Sequence, residues 1–230
     1  MPVFRLSDRP VFPNPALARH DGLLCVGGDL TPERLLAAYQ NGIFPWFSED
    51  DPPLWWSPDP RLVIFPGKVR VSRSLQKKIR RKVYTVTMDQ AFNRVINACA
   101  DLRNRPGHGG TWLVPEMIDA YCDLHRRGYG HSVETWKDGT LVGGLYGIAL
   151  GGCFFGESMF STMDDSSKVA LAALDRSLVE KKFNLIDCQV RSEHLVSMGG
   201  VEISRRDFLA IVHTSLKRES LRDAWIFGGF

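Results

Sequence analysis

Glu157, Asp187 and Gln189 are the residues whose types and spacing best suit chemistry, because each interrupts a run that is otherwise apolar. Glu157 stands among the aromatic residues of CFFGESMF (residues 153–160), and Asp187 and Gln189 lie two apart in LIDCQV (residues 185–190). Both runs read as strands, in which side chains alternate between faces. Phe155, Glu157 and Met159 are then expected on one face, with Phe154, Gly156, Ser158 and Phe160 on the other. By the same rule Asp187 and Gln189 share a face, and Ile186, Cys188 and Val190 take the opposite one. Burying an ionised carboxylate without a partner is costly, so these groups must pair with one another or meet a ligand. A ligand is the favoured reading, and a structural network, for instance Asp187 capping a helix, is the alternative.

Other chemistries are less well provided for. A Cys188 nucleophile served by His194 would be one, but alternation turns Cys188 away from Asp187 and Gln189. The six histidines show no H-x-x-x-H spacing, so no metal centre is expected. The five cysteines are odd in number and form no C-x-x-C pair, which argues against a disulfide framework or a zinc site. Four of them sit in apolar stretches and are expected to pack as small hydrophobes.

The formal net charge is only +3, yet residues 68–82 (KVRVSRSLQKKIRRK) carry eight basic side chains and no acidic one. A net acidic remainder with one basic stripe, chiefly Lys77, Lys78, Arg80 and Arg81, suits either a polyanion such as a nucleic acid or a solvated helix face. Trp46, Trp55, Trp56 and Trp112 admit core packing or the stacking of a nucleobase.

These residues need elements to position them. Thr31 as N-cap, Pro32 at the first helical position and Gly42 as stop frame a helix with Leu35, Leu36 and Tyr39 inward. Residues 42–60 are proline-rich, aromatic and irregular, and a module boundary is placed near Arg61. Residues 61–65 read as a strand, and Ser72 as the cap of a basic helix with Leu75 and Ile79 inward. Residues 84–87 read as a further strand. Helical spacing joins Phe92, Val95, Ile96 and Cys99, and again Ile118, Tyr121 and Leu124 between Pro115 and Gly128, with a glycine-rich loop (RNRPGHGGT) between the two. Three β-rich runs, 131–136, 141–150 and 153–160, joined by short glycine-bearing connectors, favour consecutive antiparallel hairpins. A helix over 166–182 follows, with Ala170, Leu171, Leu174 and Leu178 inward. The strand 185–190 comes next, then one or two helices around Phe208, Ile211 and Val212. This order predicts an α+β fold, a mixed sheet flanked by helices, in a succession shared with GNAT-type acyltransferases.

Composition agrees with a folded domain: 44% hydrophobic and 24% charged residues. No apolar run is long enough to span a bilayer and the N-terminus lacks a secretory pattern, so a cytoplasmic protein is expected.

The chain closely resembles the bacterial leucyl/phenylalanyl-tRNA–protein transferases. The resemblance is carried by DGLLCVGGDL, AYQNGIFPWF, LWWSPDPR, SRSL, GTW, HSVE, LVGGLYG, GESMFS, SK at Ser167 and Lys168, and LIDCQV, in order to about Phe208. Departures, Met198 where a leucine is familiar, Ser204 in place of a proline and the Arg191-Ser192-Glu193 segment, spare the three polar residues.

The resemblance implies a small N-terminal α/β module (1–61) and a GNAT-like catalytic domain (62–230). It also implies transfer of Leu, Phe and less readily Met from aminoacyl-tRNA to proteins beginning with Arg or Lys, which marks them for N-degron degradation. Its reaction centre would be Glu157, Asp187 and Gln189. Trp112, Phe154, Met159, Leu171, Leu174, Leu178 and Ile186 would form or support the aminoacyl pocket, and Trp46 would lie beside the terminal adenosine. Because aminoacyl-tRNA is already an activated ester, no cofactor is expected; Gln189 would position the amine, Asp187 orient Gln189 or relay a proton, and Glu157 recognise the cationic acceptor. An acetyl-CoA-dependent enzyme is disfavoured by the glycine-free, acidic connector STMDDSS, and a non-catalytic RNA-binding module would leave the polar trio idle.

Overall fold

The computed structural model describes residues 3–103 and 113–230. The N-terminal part contains β1 (Phe4–Arg5), β2 (Leu23–Val26), α1 (Pro32–Gln40), β3 (Phe44–Pro45) and β4 (Leu54–Trp56), whose strands form a four-stranded sheet in the order β1-β2-β4-β3. Helix α1 begins at Thr31 and Pro32 as expected, and the chain leaves it at Gly42 with φ +66°, a left-handed conformation that glycine adopts freely. The segment 42–60 is not wholly irregular: β3 and β4 pair within it, Phe44 opposite Trp56. Strands of two and three residues are too short to show a period, which is why the sequence pattern misses them.

The remaining elements are β5 (Arg61–Ile64), α2 (Arg73–Arg80), β6 (Thr85–Met88), α3 (Phe92–Arg103), α4 (Pro115–Arg126), β7 (Gly130–Lys137), β8 (Thr140–Leu150), β9 (Cys153–Ser161), α5 (Ser166–Glu180), β10 (Leu185–Gln189), α6 (Glu193–Ser197), β11 (Val201–Ile203) and α7 (Arg205–Ser215). A seven-stranded sheet has the order β11-β5-β10-β9-β8-β7-β6. Strands β7, β8 and β9 form the expected antiparallel hairpins, whereas β10 returns through α5 to lie parallel to β9 and antiparallel to β5. The sheet is therefore mixed and flanked by helices, an α+β fold.

Two apolar layers cover it. On one face Phe155, Tyr146 and Ile148 pack with α3, α4, Phe208 of α7 and the N-terminal residues Leu24, Tyr39 and Trp55. On the other, Leu145, Phe154 and Ile186 pack with Leu171, Leu174 and Leu178 of α5 and with Trp225. The basic helix α2 is capped by Ser72, whose hydroxyl accepts from the Leu75 amide at 3.2 Å, and buries Leu75. Most element boundaries shift by a residue or two from expectation. The strand after α2 starts at Thr85 instead of Tyr84, and α5 stops at Glu180 because Lys182 adopts φ +56° and turns the chain out of the helix. The glycine-rich loop and Trp112 lie outside the described residues.

Candidate active site

Strand β9 does not alternate throughout. Tyr146 faces Ser158 and Gly147 faces Gly156, so Glu157 is the extra residue of a bulge. Beyond it the faces exchange: Phe155 and Phe160 share one apolar layer, and Phe154 and Met159 the other. This corrects the placing of Met159 with Phe155 and of Phe160 with Phe154, whereas Glu157 reaches the side of α1 and α4 on which Phe155 also packs. Strand β10 has a second irregularity, between Asp187 and Gln189, where Gln189 takes φ +63°. Cys188 borders the same cavity as its neighbours and, as expected, packs in the apolar layer of Ile186.

Two bulged strands side by side thus deliver three polar groups to one place. Gln189 Nε2 donates to Glu157 Oε1 at 2.9 Å, and the Gln189 backbone N–H donates to Asp187 Oδ1 at 2.9 Å. Arg61, at the start of β5, donates from Nε to Asp187 Oδ1 at 2.8 Å and from Nη2 to Oδ2 at 2.7 Å. Both partners of this ion pair are buried, and the guanidinium lies 4.8 Å from the Phe44 ring centroid and 4.5 Å from that of Phe208. Fork-to-fork pairing with aromatic stacking is a geometry that arginine supplies and lysine does not.

Glu157 is set in a ring of oxygens. Its Oε1 and Oε2 lie 2.7 Å from the hydroxyls of Tyr39 and Tyr121, which are themselves 2.7 Å apart. Three short oxygen–oxygen contacts need three protons, and two phenols supply only two. In its neutral form the carboxyl supplies the third, and one phenol then accepts from it instead of donating. Accordingly, burial pushes Glu157 up to about 7, partly offset by hydrogen bonds from Tyr121 and Tyr39, while both phenols are held well above their ordinary value, chiefly by burial.

These groups end a cavity of about 330 Å³. Its apolar wall includes Leu145, Phe154, Met159, Leu171, Leu174 and Ile186, and Trp46, 43% exposed, stands at its border. Leu178 does not line the cavity but is buried behind it in the same apolar layer. Apart from Trp112, the expected pocket residues are therefore gathered at one site. The basic stripe lies apart, on α2, with Lys77, Arg80 and Arg81 exposed. Lys78 is engaged: its ammonium sits 2.7 Å from Asp165 Oδ2 and donates to the Asp164 carbonyl. Asp164, Asp165, Lys168 and His194 border a second, polar depression, and His194 also borders the first cavity. Cys188 and His194 share that cavity without a hydrogen bond between them, and burial drives the Cys188 thiol far above its ordinary value, which leaves no thiolate nucleophile.

Arg61, Tyr39, Tyr121 and Leu145 belong to the site and are not picked out by the sequence reading. Arg61 heads an apolar strand and does not interrupt it, so the criterion that finds Asp187 passes it over. The tyrosines give no signal either, since inward-facing tyrosines on helices read as core.

Chemistry-bearing side chains converging on a half-apolar cavity are the mark of an enzyme and not of a bare RNA-binding module. The family model described as leucyl/phenylalanyl-tRNA protein transferase matches residues 63–213, and the one for the N-terminal domain of the same proteins matches residues 28–59. The chain belongs to this family and is a transferase acting between aminoacyl-tRNA and protein. It is 76% identical to the leucyl/phenylalanyl-tRNA–protein transferase of Desulforapulum autotrophicum over all 230 residues of both chains. It is 56% identical to that of Anaeromyxobacter sp. (strain K), covering 100% of this chain and 98% of the relative. Likeness to solved structures is looser. A GCN5-related N-acetyltransferase from Kribbella flavida is 13% identical, with 75% of this chain and 61% of the other covered and a TM-score of 0.34. For an aminoglycoside acetyltransferase from a soil metagenomic sample the identity is 12%, the coverage 50% and 84%, and the TM-score 0.40. Among the described residues no helix is long and apolar enough to cross a membrane.

Proposed function

We propose that the chain transfers Leu or Phe, and Met less readily, from aminoacyl-tRNA to the α-amino group of proteins that begin with Arg or Lys, committing them to N-degron degradation in the cytoplasm. The observation that carries this reading is the joining of an apolar cavity to a Gln189–Glu157–Asp187 network at one end. The aminoacyl side chain enters among Phe154, Met159, Leu171, Leu174 and Ile186, with Leu178 supporting them. The ester carbonyl then rests at the polar end and the terminal adenosine beside Trp46. We take the catalytic unit to be residues 62–230, with 1–61 as a small module packed on it.

Transfer is aminolysis. The neutral α-amine attacks the ester carbonyl, the bond to the ribose oxygen breaks, and the amine's proton ends on that oxygen. An α-amine has a pKa near ~8, so about a tenth is neutral at pH 7, and holding it in place is the main task. Gln189 does this through its side-chain amide. Asp187 orients Gln189 through the backbone N–H it accepts, while Arg61 holds the Asp187 side chain in place through its two-point pair. Glu157 meets the cationic acceptor residue, whose arrival makes the anion the favoured form. The chemistry calls for no cofactor. On α2, Lys77, Arg80 and Arg81, with Lys78 more weakly, bind tRNA phosphates without reading sequence. Selectivity is that of an apolar pocket, which rejects charge strongly and discriminates a methylene by only ~1–3 kcal/mol.

The test is transfer of labelled Phe from Phe-tRNA to peptides starting with Arg, Lys or Gly. Transfer to the first two only is expected, and equal labelling of all three would remove the proposed acceptor specificity.

A further inference from the structure

Behind the cavity wall lies a part of the chain that the family model, ending at residue 213, does not reach. Helix α7 packs through Phe208 and Val212 on one face of the large sheet, whereas Trp225 is buried in the apolar layer on the other. The chain between them therefore rounds the end of the sheet. Its path is pinned step by step: Arg218 Nη1 donates to the Lys182 carbonyl, the Gly151 amide donates to Ser220 Oγ, and the Arg222 guanidinium lies 4.6 Å from the Tyr129 ring centroid. Finally the Trp225 amide donates to Asp89 Oδ2 at 2.6 Å.

The indole thus delivered is 3% exposed. It stacks on His131 at 4.1 Å and lies 5.7 Å from the Phe183 centroid and 6.0 Å from that of Phe154. Phe154 is a wall residue of the cavity, and its ring also rests against Gly147, where an added Cβ would stand 2.6 Å from the ring. Among the described residues the indole is an aromatic neighbour of this ring, whereas Gly147 presents only backbone. Close-packed interiors respond to a void by letting neighbours relax into it. Without the indole, Phe154 tilts away from the cavity and the cavity deepens.

We propose that Trp225 is a positioning residue for substrate selectivity: from the C-terminal tail it fixes the Phe154 ring and so sets the depth of the aminoacyl pocket. This rests on the reading that the cavity receives the aminoacyl side chain. A deeper pocket favours Phe over Leu, since the larger side chain gains contacts the smaller cannot make.

The experiment measures kcat/KM for Phe-tRNA relative to Leu-tRNA in full-length Trp225→Ala, Trp225→Leu and Trp225→Phe, with Phe154→Leu as a control inside the wall and a thermal melt on each. The expected result is a ratio raised on the order of tenfold in Trp225→Ala, the scale of a methylene-sized change in a pocket. It is raised less in Trp225→Leu and restored in Trp225→Phe. Should Trp225→Ala fail to fold, the Leu variant carries the same comparison. A lower Tm with an unchanged ratio in the folded variants overturns the proposal and leaves the tail a clasp. If Phe154→Leu alone moves the ratio, only the role of Trp225 falls; if neither residue moves it, the cavity reading falls too.

Discussion

Arg61 and Asp187, 126 positions apart in sequence, form a two-point ion pair with both side chains buried, at 2.8 and 2.7 Å. Through the Gln189 amide that Asp187 also accepts, the pair sets the backbone of the residue assigned to hold the amine. Removing one member leaves the other charged and unsolvated.

Arg61→Ala is therefore expected to cost about 3–5 kcal/mol of stability in a urea titration, with loss of transfer. Arg61→Lys keeps the charge but loses the fork, so it should fold better than the alanine variant and still transfer poorly. Full kcat in Arg61→Lys would show that the bidentate geometry is dispensable.

The pH dependence of stability follows from Glu157, whose folded pKa of about 7 lies above the ordinary 4.5. Between those values the folded chain binds the extra proton, so this contribution is complete below 4.5 and is lost as pH rises through 7. Urea stability should decline over that window in the wild type, and Glu157→Gln should flatten the decline. A flat wild-type profile would contradict the shared-proton ring.

Tyr121→Phe removes a hydrogen bond that lowers the Glu157 pKa. The pH at which kcat/KM rises for an Arg-initiated peptide is expected to move upward in this variant. Glu157→Gln should abolish that limb and weaken the preference for cationic acceptors, seen as a higher KM.

Gly147→Ala places a methyl against the Phe154 ring and the Phe155 carbonyl. Overpacking of this kind costs typically ~1–3 kcal/mol, and here it presses the ring inward. Transfer of Phe should fall more than transfer of Leu, the reverse of the shift expected for Trp225→Ala.

Neutralising Lys77, Arg80 and Arg81 together should lower tRNA affinity and reduce the salt slope by roughly 0.7–0.9 per lost phosphate contact. Lys78→Ala should matter less, because its ammonium is held by Asp165. An unchanged slope in the triple variant would make α2 a solvated surface.

The strands and helices of the second half were legible because their apolar periods are long, and Asp187 and Glu157 stood out as charges inside them. What period alone cannot express is a bulge. Strict alternation grouped Phe155 with Met159, and the extra residue at Glu157 separates them. Glu157 meets two helices distant in sequence, so its phenolic partners leave no local trace. Arg61 was hidden differently: as the first residue of a strand beside a proline-rich segment, it read as punctuation. Lys78 looked like its neighbours on the basic face, and only the fold of the 164–165 turn singles it out.

The polar network joins Tyr39, Arg61, Tyr121, Glu157 and Asp187, with single hydrogen bonds bridging 118 and 126 positions. With Gln189, its members come from three strands and two helices spread over residues 39–189. While the polypeptide is still emerging from the ribosome and Gln189 has yet to be made, charged tRNA is abundant around it and the reaction centre does not exist. Competence arrives late, with contacts separated by more than a hundred positions, a slow class of contact to form.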